Sequence, residues 1–444
     1  MQFIKKVYDN IYWVGANDRD LKRFENMFTL PNGVTYNSYI IKDEKNVLMD
    51  GSDSSVIRTY LDNVEKALDG EDLDYIIVQH MEPDHCGSID FILDKYPNCK
   101  FVGNQKTIKF FHQFYPNDKY NEDRFLEIKD GDELNIGKRN LKFVFAPMVH
   151  WPEVFMTYET TEGLFFSADA FGSFDVIEGH ISAKHYIKKQ AWVDENRRYY
   201  INIVGKQGKM VTNLLKKVSD FEINAILPLH GPIYDDKESI EFILDKYDKW
   251  ANFKPEVKGV NIVFSSMYGN TELAADILAS KLDELGVENI KLYDVSDNDF
   301  SYIIADSHKY SNQVFVAMNY NAGLYHKMDA LLRELVGTGY QNRHISFIHN
   351  YSWGGKSLEQ AKEILEKGKH EYVGEDFIIN SSMKDDQEKT LENLAKAIKE
   401  DVDKYTILKR CENSHLFCTK KSIYALRLLT KYTNLMLRIS YGKN

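Results

Sequence analysis

Apolar and polar positions change their rhythm twice along the chain. Up to about Asn252, short runs of β-prone residues alternate with turn residues: 11–14, 39–41 ahead of Asp43, 47–49 ahead of Asp50-Gly51, 141–145 and 163–166. Helical spacing intervenes at 55–68, 105–115 and 192–218, and a last helix is predicted at 237–250. That mixture predicts a layered α/β domain over residues 1–252. Pro255 and its charged neighbours then mark a connector at 252–256.

Beyond it the pattern becomes regular. Strand-like runs at 260–264, 290–293, 313–318, 345–348 and 376–379 are each followed by a helical segment, the first at 271–285 and the last at 387–403. Strict strand and helix alternation predicts a parallel sheet with crossover helices, a doubly wound domain over 256–404. Residues 405–444 differ again, with basic side chains far outnumbering acidic ones over an amphipathic pattern. Such an extension suits an acidic partner or a membrane surface, but packing on its own domain or on a neighbouring subunit is the commoner use and the one expected here.

Length and charge narrow the field. A chain of 444 residues exceeds one ordinary core, consistent with two domains. A formal net charge of -11 excludes wholesale binding to nucleic acid, which needs a basic face. No window approaches the apolar length of a membrane span, and the N-terminus alternates like a strand instead of carrying a signal peptide's apolar block, so a cytoplasmic location is expected. The four cysteines, Cys86, Cys99, Cys411 and Cys418, form no CxxC pair, which leaves no four-cysteine iron or zinc module in this chain.

The chemistry begins at Val78-Gln79-His80-Met81-Glu82-Pro83-Asp84-His85-Cys86-Gly87, directly behind the apolar run 75–78. If the chain stays extended, His80, Glu82 and Asp84 share one face and converge on one site. His150 follows 143–147, Asp169 follows 164–168 and His230 follows 226–229, each at the end of a strand-like run. Taken singly, a lone histidine there is more often a satisfied core residue and an aspartate a turn former. The same device repeated is what points to a metal site.

This pattern resembles the metallo-β-lactamase superfamily, whose HxHxDH motif is followed by further His, Asp and His at strand ends. One residue departs: Glu82 stands where hydrolases of the fold carry histidine, and an anionic oxygen donor moves the preference from zinc toward iron. HxExDH ahead of a flavodoxin-like domain resembles the flavodiiron proteins. The resemblance implies an N-terminal αββα sandwich and a C-terminal flavodoxin-like sheet. It also implies that His80, Glu82 and His150 hold one iron, that Asp84 and His230 hold another, that Asp169 bridges them, and that His85 is a weaker ligand. The segment 31–39 is similar to the family's N-terminal hairpin.

The first βα turn of the second half reads Ser265-Ser266-Met267-Tyr268-Gly269-Asn270-Thr271, neither GxGxxG nor GxxxxGKS. Hydroxyls and backbone N–H groups at a helix N-terminus make an anion site, although an ordinary helix cap reads the same way. Two later strand ends, Asn319-Tyr320-Asn321-Ala322-Gly323 and Tyr351-Ser352-Trp353-Gly354-Gly355, lie where open α/β sheets bind ligands. The first loop resembles the phosphate loop of flavodoxins, so FMN is the implied cofactor, with the other two loops around its isoalloxazine ring.

Together these imply an oxidoreductase that passes electrons from an external donor such as rubredoxin or a flavin reductase, through FMN, to a di-iron centre that reduces dioxygen to water or nitric oxide to nitrous oxide. A head-to-tail homodimer, or a dimer of dimers, is expected. Two other readings stand beside it: a zinc hydrolase fused to a flavodoxin-like module, which Glu82 disfavours, and an electron carrier with a structural metal.

Overall fold

The computed structural model describes residues 3–116 and 120–405. The basic extension, with Cys411 and Cys418, lies outside the described residues apart from Tyr405.

Two sheets face each other in the first half. One has seven strands in the order Lys5–Tyr8, Ile11–Trp13, Tyr39–Ile41, Val47–Met49, Tyr75–Ile77, Lys100–Gly103 and Phe125–Glu127. The other has five: Glu133–Asn135, Asn140–Phe145, Phe155–Glu159, Leu164–Phe166 and Ala225–Leu227. Their inner faces interdigitate through Trp13, Tyr39, Met49, Ile77, Phe143, Phe155, Phe166 and Leu227, all fully buried. Helices Ile57–Leu68, Ile89–Lys95 and Gln105–Phe114 cover the outside of the first sheet, with Tyr60, Val64, Ile92 and Phe111 turned onto it. Gln190–Tyr199, Gly208–Lys217 and Lys237–Ala251 cover the second. This is the αββα sandwich.

The third sheet is parallel through its four main strands, in the order Ile290–Asp294, Val257–Phe264, Tyr310–Tyr320 and His344–Tyr351, with Phe377–Asn380 added to the last. Helices Asn270–Glu284 and Glu388–Lys404 pack on one face, and Phe300–Lys309, His326–Gly337 and Ser357–Leu365 on the other. Strands buried on both faces require the continuous apolar runs seen in the sequence.

Two expectations need correction. The single helix at 192–218 is broken: after Tyr199 the chain makes a π turn over Tyr200–Val204 and a short 3-10 turn before helix Gly208–Lys217. The break seats Tyr200 against Tyr247 and Trp250 of the neighbouring helix. The segment 31–39 is not a hairpin by itself, because Val34–Tyr36 pairs with Ala16–Asp18. The tight hairpin lies upstream, Arg23–Phe24 against Phe28–Thr29.

One core runs from the second sheet's helices into the third sheet, joining Tyr200, Trp250, Ile304, Phe315 and Leu332. Charges are buried along this seam as well. The Glu256 carboxylate receives Arg197, Lys246 and, at 2.8 Å, the Trp250 indole. Arg198 lies between the rings of Phe174 and Tyr302, with their centroids 4.4 and 4.2 Å from its guanidinium carbon, and donates to Ser301 Oγ at 2.9 Å. Burial disfavours the Glu256 anion, but Arg197 and Lys246 outweigh it and hold the carboxyl well below its ordinary range. Among the described residues no helix is long and apolar enough to cross a membrane.

Two outcomes follow for stability. Glu256→Gln removes a buried counter-charge from Lys246 and from Arg197, which keeps Asp194 at 2.6 Å, and should lower the unfolding free energy by about 3 kcal/mol in urea titration. At the far end of the third sheet, burial and then Arg343 hold His308 well below its ordinary value and His370 down to about 4. Both histidines are neutral in the fold, whereas the unfolded chain takes up protons below about pH 6.5. Stability is therefore lost as pH falls from 6.5 toward 4, and His370→Asn should flatten the dependence of the melting temperature on pH over that window.

Candidate metal centre and flavin loops

Strand Tyr75–Ile77 aims the chain at its own end, and Asp50 fixes the exit. The backbone N–H and Nε2 of Gln79 donate to the two oxygens of this buried carboxylate at 2.7 and 2.8 Å, which sets the direction of His80. Glu82 then adopts an extended conformation as the N-cap of a one-turn helix, Pro83–Cys86, that carries Asp84 and His85. The expected common face of His80, Glu82 and Asp84 is thus corrected. Proline at the first helical position turns the chain, and Asp84 joins a different cluster from His80 and Glu82.

The first cluster is His80, Glu82, His150 and Asp169; the second is Asp84, His85 and His230. In the first, the Nε2 atoms of His80 and His150 are 3.3 Å apart and each 3.0 Å from Glu82 Oε2. Asp169 Oδ2 lies 3.3 Å from His80 Nε2 and 3.1 Å from His150 Nε2. In the second, Asp84 Oδ2 lies 3.3 Å from His85 Nε2 and 3.2 Å from His230 Nε2. The other oxygen of Asp169, Oδ1, is 3.0 Å from His85 Nε2 and 3.6 Å from His230 Nε2. One carboxylate therefore faces both clusters, one oxygen to each. Neighbouring donors around an ion held at about 2.1 Å stand roughly 3.0–3.4 Å apart, the spacing found here.

Local backbone serves this convergence. Ala168, just before Asp169, has φ +49°, and Met148, two residues before His150, has φ +66°. A left-handed non-glycine residue costs roughly 1 kcal/mol, tolerated because packing fixes it. Outer partners orient the rings. His80 Nδ1 pairs with Glu153 Oε1 at 2.8 Å, and His230 Nδ1 donates to the Thr35 carbonyl at 2.9 Å, so both present a bare Nε2 inward. His85 Nδ1 has no such partner, a physical reason for it to be the weaker donor.

Burial alone would hold the rings neutral. For His85 the carboxylates of Asp84 and Asp169, and for His150 those of Asp169 and Glu82, outweigh burial and push both imidazoles up to about 9. In the opposite sense, the histidines overcome the desolvation of Asp169 and Glu82 and hold both carboxyls far below their usual range. Both oxygens of Asp84, Oδ1 of Asp169 and the Nε2 atoms of His85 and His230 are nevertheless buried without a hydrogen-bond partner. Orphaned acceptors and lone pairs in the second cluster, and donor atoms crowded to 3.0–3.3 Å in the first, fit a pair of cations.

The third sheet gathers the other candidates. Strand Val257–Phe264 ends in the 265–271 turn, where Ser265 Oγ is buried and unpartnered, Gly269 takes φ +85° and its N–H donates to Ser266 Oγ at 3.1 Å. Helix Asn270–Glu284 starts there without a side-chain cap, leaving its first N–H groups for a phosphate. Asn321 and Ala322 are left-handed, at φ +47° and +60°. The 319–323 and 351–355 loops meet where Asn319 Nδ2 donates to the carbonyls of Trp353 and Gly354. Asn350 Nδ2 reaches Thr271 Oγ1 at 3.2 Å, tying the last loop to the first. Tyr268 is 89% and Trp353 77% exposed, and Met267 and Tyr320 are about half exposed, an apolar rim around a polar turn that fits a flavin.

Residues 34–231 match the family model described as "ODP family beta lactamase". An uncharacterised protein of Methanocaldococcus jannaschii is 33% identical over 365 residues, covering 82% of this chain and 89% of that protein. The anaerobic nitric oxide reductase flavorubredoxin of Vibrio vulnificus is 29% identical, covering 80% of this chain and 71% of its own. Among solved structures, rubredoxin oxygen:oxidoreductase from Desulfovibrio gigas superposes with a TM-score of 0.84 at 22% identity, over 90% of this chain and 99% of that one. The flavodiiron protein of Giardia intestinalis superposes at 0.82 with 22% identity, over 91% and 97%. The chain belongs to the flavodiiron family. It is accordingly an oxidoreductase of the FMN and non-haem di-iron class.

For a flavodiiron protein, several site residues escape a reading of sequence alone. Glu153, Thr35 and Asp50 are such positions, and so are Tyr36 and Tyr199, whose rings wall His230 at centroid distances of 5.8 and 5.5 Å. Tyr199 is fully buried and its hydroxyl has no partner. Glu25, at the tip of the upstream hairpin, has its carboxyl pushed up to about 8 by burial and by the Glu82 carboxylate. Their one advance signal is aromatic density around 31–39. Glu153→Gln, which weakens the acceptor behind His80, should lower metal affinity about 10–100-fold by chelator competition while FMN content holds.

Proposed function

We propose that this flavodiiron protein reduces dioxygen to water, nitric oxide to nitrous oxide, or both, with electrons relayed through FMN. The observation that carries the reading is the split allegiance of Asp169, whose two oxygens face two separate sets of converging donor atoms. We assign His80, Glu82 and His150 to one iron, Asp84 and His230 to the other, Asp169 to both, and His85 as a weaker ligand. The 265–271 turn takes the FMN phosphate, with 319–323 and 351–355 around the ring. Residues 1–252 form the di-iron unit and 256–404 the flavin unit.

When bound, the iron pair supplies electrons and open positions for a small oxidant, and FMN supplies a carrier that accepts electrons singly or in pairs. The protein's share is placement. Glu153 and the Thr35 carbonyl keep the His80 and His230 rings in the tautomer that offers Nε2. Glu82 adds an anionic oxygen where the zinc hydrolases have a ring nitrogen, which favours iron. The Tyr199 hydroxyl, buried beside His230 with burial first and Asp169 second holding it protonated, is a donor kept in reserve for oxygen atoms in the site.

The flavin loops and the metal-site residues lie on different sheets, and we propose a head-to-tail homodimer in which one copy's flavin serves its partner's irons. We propose a rubredoxin or a flavin reductase as the electron donor.

Protein prepared anaerobically should contain two irons and one FMN per chain and, once reduced, consume dioxygen or nitric oxide in stopped flow. Two zinc ions with no iron, or a reduced protein inert to both gases, overturns the reading. Asp84→Asn should lower oxidant turnover by about 100-fold with FMN content unchanged.

A further inference from the structure

Beneath the two ring loops runs a hydrogen-bond chain whose inner members belong to neither. Asn319, near the end of strand Tyr310–Tyr320, donates outward to the carbonyls of Trp353 and Gly354. Inward, its Oδ1 accepts the backbone N–H of Ser357 at 3.3 Å. Ser357 opens helix Ser357–Leu365, and its Oγ stands 3.0 Å from each ring nitrogen of His349. His349 lies in strand His344–Tyr351, opposite Ala317 in the parallel register. The chain thus runs from His349 through Ser357 and Asn319 to the loop.

Burial divides this chain sharply. His349 is 2% exposed and Ser357 fully buried, whereas residues 352–356 between them and the solvent are all exposed. The loop turns at Gly354, with φ +62°, and at Gly355 it presses so close to Tyr351 that a Cβ would come within 2.9 Å of that ring. Five exposed residues with few contacts would otherwise have to be ordered by the ligand itself, at a cost in affinity. Both nitrogens of the imidazole face the Ser357 hydroxyl, which can donate to the bare one or accept from the protonated one. The strand-like run 345–348 stops short of His349, whereas the strand continues to Tyr351 and buries that side chain.

We propose that His349 and Ser357 are positioning residues for the flavin: they hold the 352–356 loop against Asn319 in its binding form and so set the affinity for FMN. The proposal rests on the flavodiiron reading and extends it to residues that do not touch the cofactor.

The test is titration of FMN and of riboflavin into flavin-stripped, iron-loaded full-length protein, followed by flavin fluorescence. Ser357→Ala should raise the Kd for both ligands at least tenfold and by the same factor, because the phosphate turn is untouched. Ser357→Thr, which restores the hydroxyl, should stay within threefold of wild type, and His349→Asn should fall with Ser357→Ala. The proposal is overturned if Ser357→Ala binds FMN within twofold of wild type. It is equally overturned if the FMN-to-riboflavin ratio collapses, which would mean general loosening of the domain, or if Ser357→Thr fails to rescue. Wild-type protein that binds no FMN would instead sink the functional reading itself.

Discussion

Four imidazoles and three carboxylates face one another across about 3 Å in a pocket nearly closed to water, and everything else in the first half of the chain serves to hold them there. Such a set is stable only when positive charge is distributed among the carboxylates. Protons can do it, as the raised values of His85 and His150 indicate. Metal ions do it better, because they also satisfy the acceptors and lone pairs that protons leave orphaned. Asp169 is central, since its two oxygens divide between the clusters and the left-handed Ala168 gives it the angle to do so.

The same logic extends across the molecule. Sheets deliver side chains from strand ends, which are rigid, so the metal-site residues and the flavin loops all sit at carboxyl ends of strands or in the turns after them. The seam joining the halves combines a continuous apolar core with the buried charges of Glu256, Arg197 and Arg198. It fixes the connector instead of letting it swing. A flavin and a metal centre held on different sheets of one packed chain have little freedom to approach each other, which gives the proposed exchange between two copies its physical motive.

How much of this was legible beforehand depended on distance along the chain. His80, His150, Asp169 and His230 announce themselves because each closes an apolar run, and Glu82 and Asp84 because they follow His80 at alternate positions, both local patterns. Their division into two clusters was not local, because it turned on a single helical turn that Pro83 starts and that extended-chain geometry missed. Glu153 lies 73 residues from His80, and Thr35 lies 195 from His230, so no window of sequence connects them. The break after Tyr199 was invisible for a related reason, since the apolar spacing of 192–218 continues through a π turn that only packing against Tyr247 and Trp250 explains. His349 was hidden because a buried polar side chain within a strand reveals its partners only when neighbouring strands are in register.

Iron-edge anomalous diffraction from crystals of anaerobically reconstituted protein should show two peaks about 3.5–4 Å apart, one within reach of His80, Glu82 and His150, the other within reach of Asp84 and His230, with the Asp169 carboxylate between them. A single peak, two peaks that do not share Asp169, or a signal at the zinc edge alone would contradict that arrangement.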